Sequence, residues 1–408
     1  MELKLDTKKP KIHRLSPWLS WRTAAIVLAA LVIYSLGVNV GEGRLSFHVG
    51  SGQNSSLPNQ LDYSSVNQVY QILKTQYDGK LTASQLIDGL KTGLTQSTGD
   101  PYTEYFNAAQ AKQFNSELQG SFSGIGAQLG EDTQNNLEVI APLAGTPAAK
   151  AGIQAKDLII TINGKSTAGI TTDEAVNEIR GPSGSKVTLQ IIRGEQQLNF
   201  VVIRENITIP SVNSKILAGN IGYIQINQFS DDTSQLAQQA AQKLQKAGVK
   251  GIILDLRDNP GGEVDAAVNA SSLWLPGGQT VFQEKTDNKV IKTYTVTGND
   301  ILKGIPTVVL INSGSASAAE ITAGALHDNK VAYIIGTKSY GKGVVQQVNN
   351  LPGGAELKVT VASWYRPDGQ NINHKGITPD EVVKISQDQI KASQDPQQDA
   401  AIQYLHSH

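Results

Sequence analysis

The spacing of apolar residues divides the chain into segments of different character. Between residues 61 and 117, apolar positions recur every three or four residues, as in VNQVYQILKTQY and SQLIDGLKTGL, which predicts helices. Asp100-Pro101-Tyr102 interrupts this pattern, and TEYFNAAQAKQFNSEL is expected to resume it as helix. From 120 to 205, short β-type runs separated by Gly, Pro and Asn turns predict a compact β-rich module. One helix, TTDEAVNEIR, interrupts these runs, with Thr171 or Thr172 as its N-cap.

From residue 221 onwards, strand patterns and helix patterns alternate. The predicted strands are IGYIQINQF, GIILDLRD, PTVVLIN and VAYIIG, and each is followed or preceded by a helical pattern such as SASAAEITAGAL. Alternation of this kind predicts βαβ units with a largely parallel sheet, so the fold class is α/β. The sequence after about 386 is polar and contains one short helix pattern.

The N-terminal region carries an uncharged run of nineteen residues, TAAIVLAALVIYSLGVNVG, at 23–41. Such a helix matches the hydrocarbon thickness of a bilayer, and lysines, arginines and two tryptophans precede it. We therefore expect a transmembrane anchor, with residues 1–22 cytoplasmic and the rest of the chain outside the cell membrane. A cleaved signal peptide is the alternative, although no small-x-small cleavage site follows the run.

Composition excludes several classes of function. Basic and acidic residues are nearly balanced, at 35 and 36, so no overall charge draws the chain to nucleic acid. The sequence contains no cysteine, and its six histidines are scattered without the short spacings of metal ligands. We expect no metal and no other cofactor.

Candidate chemistry appears in INSGSASAAEITAGAL, where a β-branched run gives way to an alanine-rich helix. Ser317 and Glu320 fit a capping box, which would explain both residues without any chemistry. A serine at a helix N-terminus is also well placed for nucleophilic attack, because backbone amides there can hold an oxyanion. His327 lies ten residues along the same helix, about 15 Å away, and His374 has no clearly placed carboxylate, so a histidine base is unsupported.

A lysine is the alternative base. Lys342 lies between two glycines in TKSYGKG, and Lys338 lies in the same loop. Either would need burial to lower its pKa, and spacing does not choose between them. Residues 336–342 also fit G-x-x-x-x-G-K, but Gly343 follows and the next segment is strand-like, so nucleotide binding is rejected.

Two further segments have structural interpretations. Asp255 and Arg257 in GIILDLRD share a strand face and are interpreted as an ion pair that orients the following glycine turn. The loop GSFSGIGAQLG can present amides to a peptide carboxylate, with the helix TTDEAVNEIR beside it, although a simple glycine-rich turn fits the loop alone.

Two parts of the chain resemble known families. The run GIGAQL…APLAGTPAAKAGIQAKDLIITINGKS…AVNEIRGPSGSKVTLQIIR resembles a PDZ domain of the circularly permuted kind found in bacterial proteases. This implies peptide binding at Gly124, Ile125, Gly126 and Ala127. INSGSASAAEITAGAL, IIGTKSYGKGVVQQ and ILDLRDNPGGEV resemble the signatures of the C-terminal processing (tail-specific) peptidases, the S41 serine proteases, and GDPYTEYF and GITPDEVV resemble further landmarks of that family.

The S41 resemblance assigns roles to individual residues. It implies that Ser317 is the nucleophile, Lys342 the general base and Gln346 the residue that holds this lysine in place. The oxyanion would be bound by the amide of Ala318 and by a glycine amide, that of Gly261 or Gly262. Arg180 matches a position that links the PDZ domain to the active site.

The resemblance also implies an activity and an organisation. We expect a membrane-anchored endopeptidase that binds apolar protein C-termini through its PDZ domain, whose resting state is inactive and which forms homodimers through helices at 61–95 and near 395–405. A non-catalytic PDZ scaffold at the cell surface and an acyl-CoA enzyme are the alternatives. The expected order is a basic tail (1–22), the anchor (23–41), a linker (42–60), a helical region (61–118), the PDZ domain (119–206), a crotonase-like protease core (207–385) and a C-terminal tail with a helix (386–408).

Overall fold

The computed structural model describes residues 57–407 except 133, 144, 387, 390, 391 and 393. The predicted basic tail, the anchor at 23–41 and most of the linker lie outside the described residues. No helix within the described part of the chain is long and apolar enough to span a bilayer. The described residues fall into two units that divide between Asp78 and Gly79. Helix α1 (Ser64–Gln76) belongs to the first unit, and all other described elements belong to the second.

The predicted helical region contains a strand that the sequence pattern did not indicate. After α2 (Ala83–Gln96), residues Glu104–Phe106 form β1 instead of the first turn of a helix. They do so because they pair antiparallel with a strand about 250 residues further along the chain, which no local pattern reveals. Helix α3 (Ala108–Leu118) begins only after Asn107, whose side chain accepts hydrogen bonds from the amides of Ala109 and Gln110.

The β-rich module is confirmed as an antiparallel sheet in the order β3-β4-β5-β7-β8, with β6 paired to β5. Alternate residues of one strand, Val187, Leu189 and Ile191, are fully buried, as expected for a strand with one face in the core. Thr171 is the N-cap of the predicted helix and forms a reciprocal capping box with Glu174. The elements are β3 (Ala127–Glu131), β4 (Leu137–Pro142), α4 (Pro147–Ala151), β5 (Leu158–Ile162), β6 (Lys165–Ser166), α5 (Thr172–Ile179), β7 (Lys186–Arg193) and β8 (Gln196–Ile203).

A short antiparallel pair, β2 (Ser121–Gly124) and β9 (Glu205–Thr208), lies at the two ends of this module. The chain therefore enters and leaves the module through neighbouring strands.

The α/β core contains the sheet β10-β11-β12-β15-β16-β19. Its first pair is antiparallel and the others are parallel, which confirms the largely parallel sheet. Strands β12 and β15 are buried at every residue, so they read as continuous apolar runs. The elements are β10 (Val212–Leu217), β11 (Ile221–Ile226), α6 (Thr233–Lys246), β12 (Gly251–Asp255), α7 (Val264–Ser271), β15 (Thr307–Ile311), α8 (Ala318–Asp328), β16 (Tyr333–Gly336), β19 (Glu381–Val382) and α9 (Pro396–Ser407).

A second, antiparallel sheet packs beside the α/β core. Its order is β1-β18-β13-β14, with β17 also paired to β18. The fully buried Trp364 and Phe282 lie on this sheet and join the same hydrophobic cluster as α6, α7 and α8. The elements are β13 (Thr280–Thr286), β14 (Lys289–Thr295), β17 (Val344–Asn350) and β18 (Glu356–Tyr365).

Candidate active site

Three loops converge at one edge of the parallel sheet. Strand β12 leads into the Asn259-Pro260-Gly261-Gly262 turn, β15 leads to Ser317, and β16 leads to Lys342. Because parallel strands place their carboxyl ends at the same edge, these loops meet although they are distant in sequence.

The loops enclose a cavity of about 370 Å³. Five residues predicted from the sequence line it together: Ser317, Lys342, Gln346, Gly261 and Gly262. Charged and polar neighbours are Glu117, Gln228, Glu263 and Lys358, and the apolar wall consists of Phe114, Leu118, Pro260, Val264, Ile321, Val344, Val345, Val348 and Trp364. The cavity therefore offers a mainly apolar groove with a few polar groups at one place, as enzyme sites commonly do.

Ser317 has an unusual backbone. Its φ of 53° and ψ of −116° place a non-glycine residue in a sparsely populated region, just before α8 begins at Ala318. Such conformations cost about 1–3 kcal/mol and cluster at active sites. The other serines of the motif differ, since Ser315 is buried and its hydroxyl donates to the Leu256 carbonyl at 2.7 Å, while Ser313 is exposed.

Two backbone amides beside Ser317 are available as hydrogen-bond donors. The Gly261 amide already donates to the Asn259 side-chain oxygen at 2.8 Å. Within the described part of the chain, by contrast, the amides of Gly262 and Ala318 have no acceptor. A Cβ added to Gly261 would lie 2.7 Å from the Ser317 Cβ and 3.0 Å from the Ala318 nitrogen, so the glycine turn contacts the serine directly.

Lys342 differs from its neighbour Lys338. Burial lowers the pKa of Lys342, and the positive charge of Lys358 lowers it further, whereas Glu320 and Asp100 act in the opposite direction. Lys338 is exposed. The Lys342 carbonyl accepts a hydrogen bond from the Trp364 indole at 2.7 Å, which fixes the loop from the other side.

Glu320 is a site residue that the sequence pattern indicated only as a helix cap. It is fully buried, and its carboxylate accepts hydrogen bonds from the amides of Ser317 (2.9 Å), Gly341 (2.7 Å) and Lys342 (3.0 Å) and from the Ser339 hydroxyl (2.5 Å). Burial raises the pKa of Glu320 above its ordinary value, and these hydrogen bonds offset only part of the rise. Because three of the donors are amides, which cannot accept, the arrangement fits an ionised carboxylate.

This glutamate joins the serine loop to the lysine loop. The capping bond to Ser317 confirms the local interpretation, but the bonds to the lysine loop depend on tertiary structure. The only signal in the sequence is a charged residue within an otherwise apolar, alanine-rich helix start.

Gln346 lines the cavity with Lys342 but bonds to another residue. Its side-chain amide donates to the Thr360 hydroxyl at 3.3 Å, and the described side chains of Gln346 and Lys342 form no hydrogen bond with each other.

The two histidines considered as bases form no hydrogen bond with Ser317 among the described residues. His327 lies at the far end of α8, and its ring nitrogens are 3.0 Å from Asp328 and from Asp380. Its exclusion as a direct partner of Ser317 therefore agrees with the structure. The His374 amide donates to the Gly341 carbonyl at 2.8 Å.

The predicted ion pair in GIILDLRD is confirmed. Arg257 binds Asp255 at 2.6 Å and also Asp395 at 2.8 Å, just before helix α9. The Tyr223 hydroxyl donates to the same Asp255 carboxylate at 2.7 Å. This buried cluster ties the strand before the glycine turn to the C-terminal segment.

A second cavity, of about 330 Å³, lies in the β-rich module. The loop residues Gly124, Ile125, Gly126 and Ala127 line it, together with residues of α5. Arg180, which follows α5, also lines this cavity, and its guanidinium lies 3.7 Å from the Glu117 carboxylate. Because Glu117 lines the first cavity, one ion pair connects the walls of the two.

Comparison with protein families finds two matches. Residues 220–383 match the model of peptidase family S41, and residues 113–192 match the model of the PDZ domain. The carboxy-terminal processing protease CtpA of Bacillus subtilis (strain 168) is 40% identical over 362 residues, which cover 87% of this chain and 74% of that protein. The chain belongs to the S41 family of carboxy-terminal processing peptidases.

Two further relatives agree with this assignment. A probable CtpA-like serine protease of Staphylococcus aureus (strain MRSA252) is 36% identical over 89% of this chain and 72% of its own length. The solved structure of a photosystem II D1 C-terminal processing protease superposes with a TM-score of 0.51 at 29% identity, covering 79% of this chain and 87% of that one. The resemblance indicated by the motifs and the prediction of a serine-type peptidase with a PDZ domain are therefore confirmed.

Proposed function

We propose that this S41 peptidase hydrolyses peptide bonds with a Ser317–Lys342 dyad and selects substrates by their apolar C-termini through the PDZ domain. The observation that carries the proposal is that Ser317 and a lysine with a lowered pKa share one cavity, beside two amides that lack acceptors among the described residues. A lysine with a lowered pKa is available as a neutral base at a pH where an exposed lysine is charged.

The chemical steps follow from these positions. Neutral Lys342 takes the proton of the Ser317 hydroxyl while Ser317 Oγ attacks the peptide carbonyl, and the amides of Ala318 and Gly262 bind the resulting oxyanion. We assign the second donor to Gly262 because the Gly261 amide is already bonded to Asn259. Lys342 then gives the proton to the leaving amine and activates the water that hydrolyses the acyl-enzyme. Gln346 would orient the lysine once the site is assembled.

In the described part of the chain, Ser317 Oγ and Lys342 Nζ form no hydrogen bond with each other. This supports a resting state that substrate binding converts to the competent one. In that step a peptide would bind in the groove at Gly124–Ala127, extend the β-sheet and move α5, and Arg180 would transmit the movement through Glu117 to the catalytic cavity.

We also propose that residues 23–41 anchor the enzyme in the cell membrane with the catalytic part outside, as their length and flanking charges indicate. Deletion of 23–41 should release the protein from membranes washed at high pH.

Homodimer formation is proposed to involve the apolar stripe Ile87, Leu90 and Leu94 of α2, which are 50%, 47% and 58% exposed. Leu90→Glu should lower the molar mass measured by light scattering from dimer to monomer.

The decisive experiment measures cleavage of an unfolded reporter with an apolar C-terminal tail by the detergent-solubilised full chain. Ser317→Ala and Lys342→Ala should each abolish cleavage, whereas Lys338→Ala, in the same loop, should retain it. A reporter with an amidated tail should be cleaved more slowly because its terminal carboxylate is gone. Activity that survives in Lys342→Ala would disprove the dyad. A Ser317→Ala variant that fully replaces the parent protein in cells would favour the non-catalytic PDZ scaffold.

A further inference from the structure

The mechanism leaves the motif GDPYTEYF without a role. In this segment the Asp100 carboxylate accepts hydrogen bonds from the Tyr102 amide (3.1 Å) and the Thr103 hydroxyl (2.6 Å), which forms a tight turn. Strand β1 follows and pairs with β18, the strand that carries Lys358. The Glu104 carboxylate binds Lys358 at 3.1 Å. The segment is therefore attached to a strand that lines the catalytic cavity.

The turn brings the ring of Tyr102 close to Lys342. The Lys342 nitrogen lies 5.2 Å from the centre of this ring, within the range of cation–π contacts. The same nitrogen has no hydrogen-bond partner among the described residues. Tyr102 is half-buried, and burial together with the neighbouring Tyr340 raises the pKa of its hydroxyl. Among the described residues, Lys342 lines the cavity and Tyr102 does not, so the ring contacts the lysine from outside the cavity.

We propose that Tyr102 is a positioning residue for the peptidase reaction, whose ring covers the amine of Lys342, excludes bulk water from it and directs it toward Ser317. The inference rests on the proposed role of Lys342 as the general base. It assigns to GDPYTEYF, which lies outside both matched family regions, a direct part in building the active site.

The ring serves both protonation states of the lysine. Before attack, an aromatic wall keeps water away, and loss of hydration favours the neutral amine that the reaction needs. During attack, the proton of Ser317 moves to Lys342 and creates an ammonium group, which the face of the ring attracts. The negative charge forms at the same time on the oxyanion, so charge is conserved within the site.

Other charged groups around Lys342 also influence its protonation. Asp100 and Glu320 favour its charged form, and Lys358 disfavours it. Tyr340 belongs to the same loop, and Glu117 and Glu263 line the same cavity from α3 and from the turn before α7. Replacing Tyr102 leaves all of these groups in place, so the change in activity reports the ring.

The test compares Tyr102→Phe and Tyr102→Leu in the full chain. The phenylalanine variant keeps the ring and should retain kcat/KM within about threefold. The leucine variant should lose at least about tenfold in kcat/KM, mostly in kcat, because a misplaced base slows the chemical step. Its activity should also require a higher pH than that of the parent, because the hydration that the charged lysine gains outweighs the cation–π contact that it loses.

Tyr105 provides the matched control, since it lies in the same segment but its hydroxyl bonds to Asp88 at 2.6 Å and to Lys91 at 3.1 Å. Tyr105→Leu should lower the melting temperature and leave the pH dependence of kcat/KM unchanged. If Tyr102→Leu does not fold, Tyr102→Met fills the same space without an aromatic face and carries the same expectation.

The result that overturns the inference is a Tyr102→Leu or Tyr102→Met variant with the kcat and the pH profile of the parent. Lys342→Ala is assayed in parallel. Activity in Lys342→Ala would disprove the proposed function itself, whereas an inactive Lys342→Ala combined with a parent-like Tyr102 variant would disprove only the role of Tyr102.

Discussion

Glu320→Gln tests whether a buried carboxylate holds the two catalytic loops together. One carboxylate oxygen accepts from the amides of Ser317 and Lys342, and the other accepts from the Gly341 amide and the Ser339 hydroxyl. Glutamine has the same shape but replaces one oxygen with an NH₂ group. Wherever this group points, it faces at least one backbone amide that can only donate.

The expected cost follows from this count of donors. In the better orientation the NH₂ group faces Gly341 and Ser339, whose hydroxyl can rotate and accept, so one amide loses its partner at a cost of about 1–3 kcal/mol. The two bonds that remain at the other oxygen lose their charge-assisted character, about 1 kcal/mol each. Glu320→Gln should therefore destabilise the fold by about 3–5 kcal/mol. Because both loops move, kcat/KM should fall by about 100-fold.

Urea unfolding and the reporter cleavage assay measure the two effects, with Glu356→Gln as the matched control. Glu356 is also buried, but one of its oxygens binds Asn115 at 2.7 Å and the other has no partner among the described residues. Glutamine can place its NH₂ group at the unpaired position, so this variant should lose less than about 1 kcal/mol. Equal stability losses for the two variants would refute the assignment of Glu320 as an ionised bridge.

Three further predictions concern the surroundings of the site. Gly262→Ala should lower activity at least about 100-fold and stability by about 2 kcal/mol or more, because φ is 133° and a Cβ would collide with the Phe229 carbonyl; kinetics and urea unfolding check this. Arg257→Met should cost about 3 kcal/mol in urea unfolding, since the buried Asp255 and the partly exposed Asp395 lose their counter-charge. Burial, followed by a hydrogen bond and the charge of Asp231, raises the pKa of Glu263 to about 7. The stability that comes from this bound proton is fully present below pH 4.5, the ordinary pKa of a glutamate, and is lost as the pH rises through about 7. Asp231→Asn should therefore reduce the loss of stability that urea unfolding measures between pH 5 and pH 8.

The order of the elements and the candidate chemistry could be predicted from local features of the sequence. Alternating β and helical patterns indicated the parallel sheet, because its buried strands must be apolar throughout. The motifs around Ser317 and Lys342 indicated the peptidase family. The one clear error, helix in place of strand β1, occurred where pairing with β18 overrides the local pattern.

Other features depended on contacts between distant parts of the chain. Burial distinguishes Lys342 from Lys338, although the two lie four residues apart in one loop. A side chain from Asn259 engages the Gly261 amide and leaves that of Gly262 available. The sequence determined which residues lie near the ends of the strands. Tertiary structure alone decided their protonation and hydrogen bonding, because burial and hydrogen-bond partners come from segments that fold against each other from across the chain.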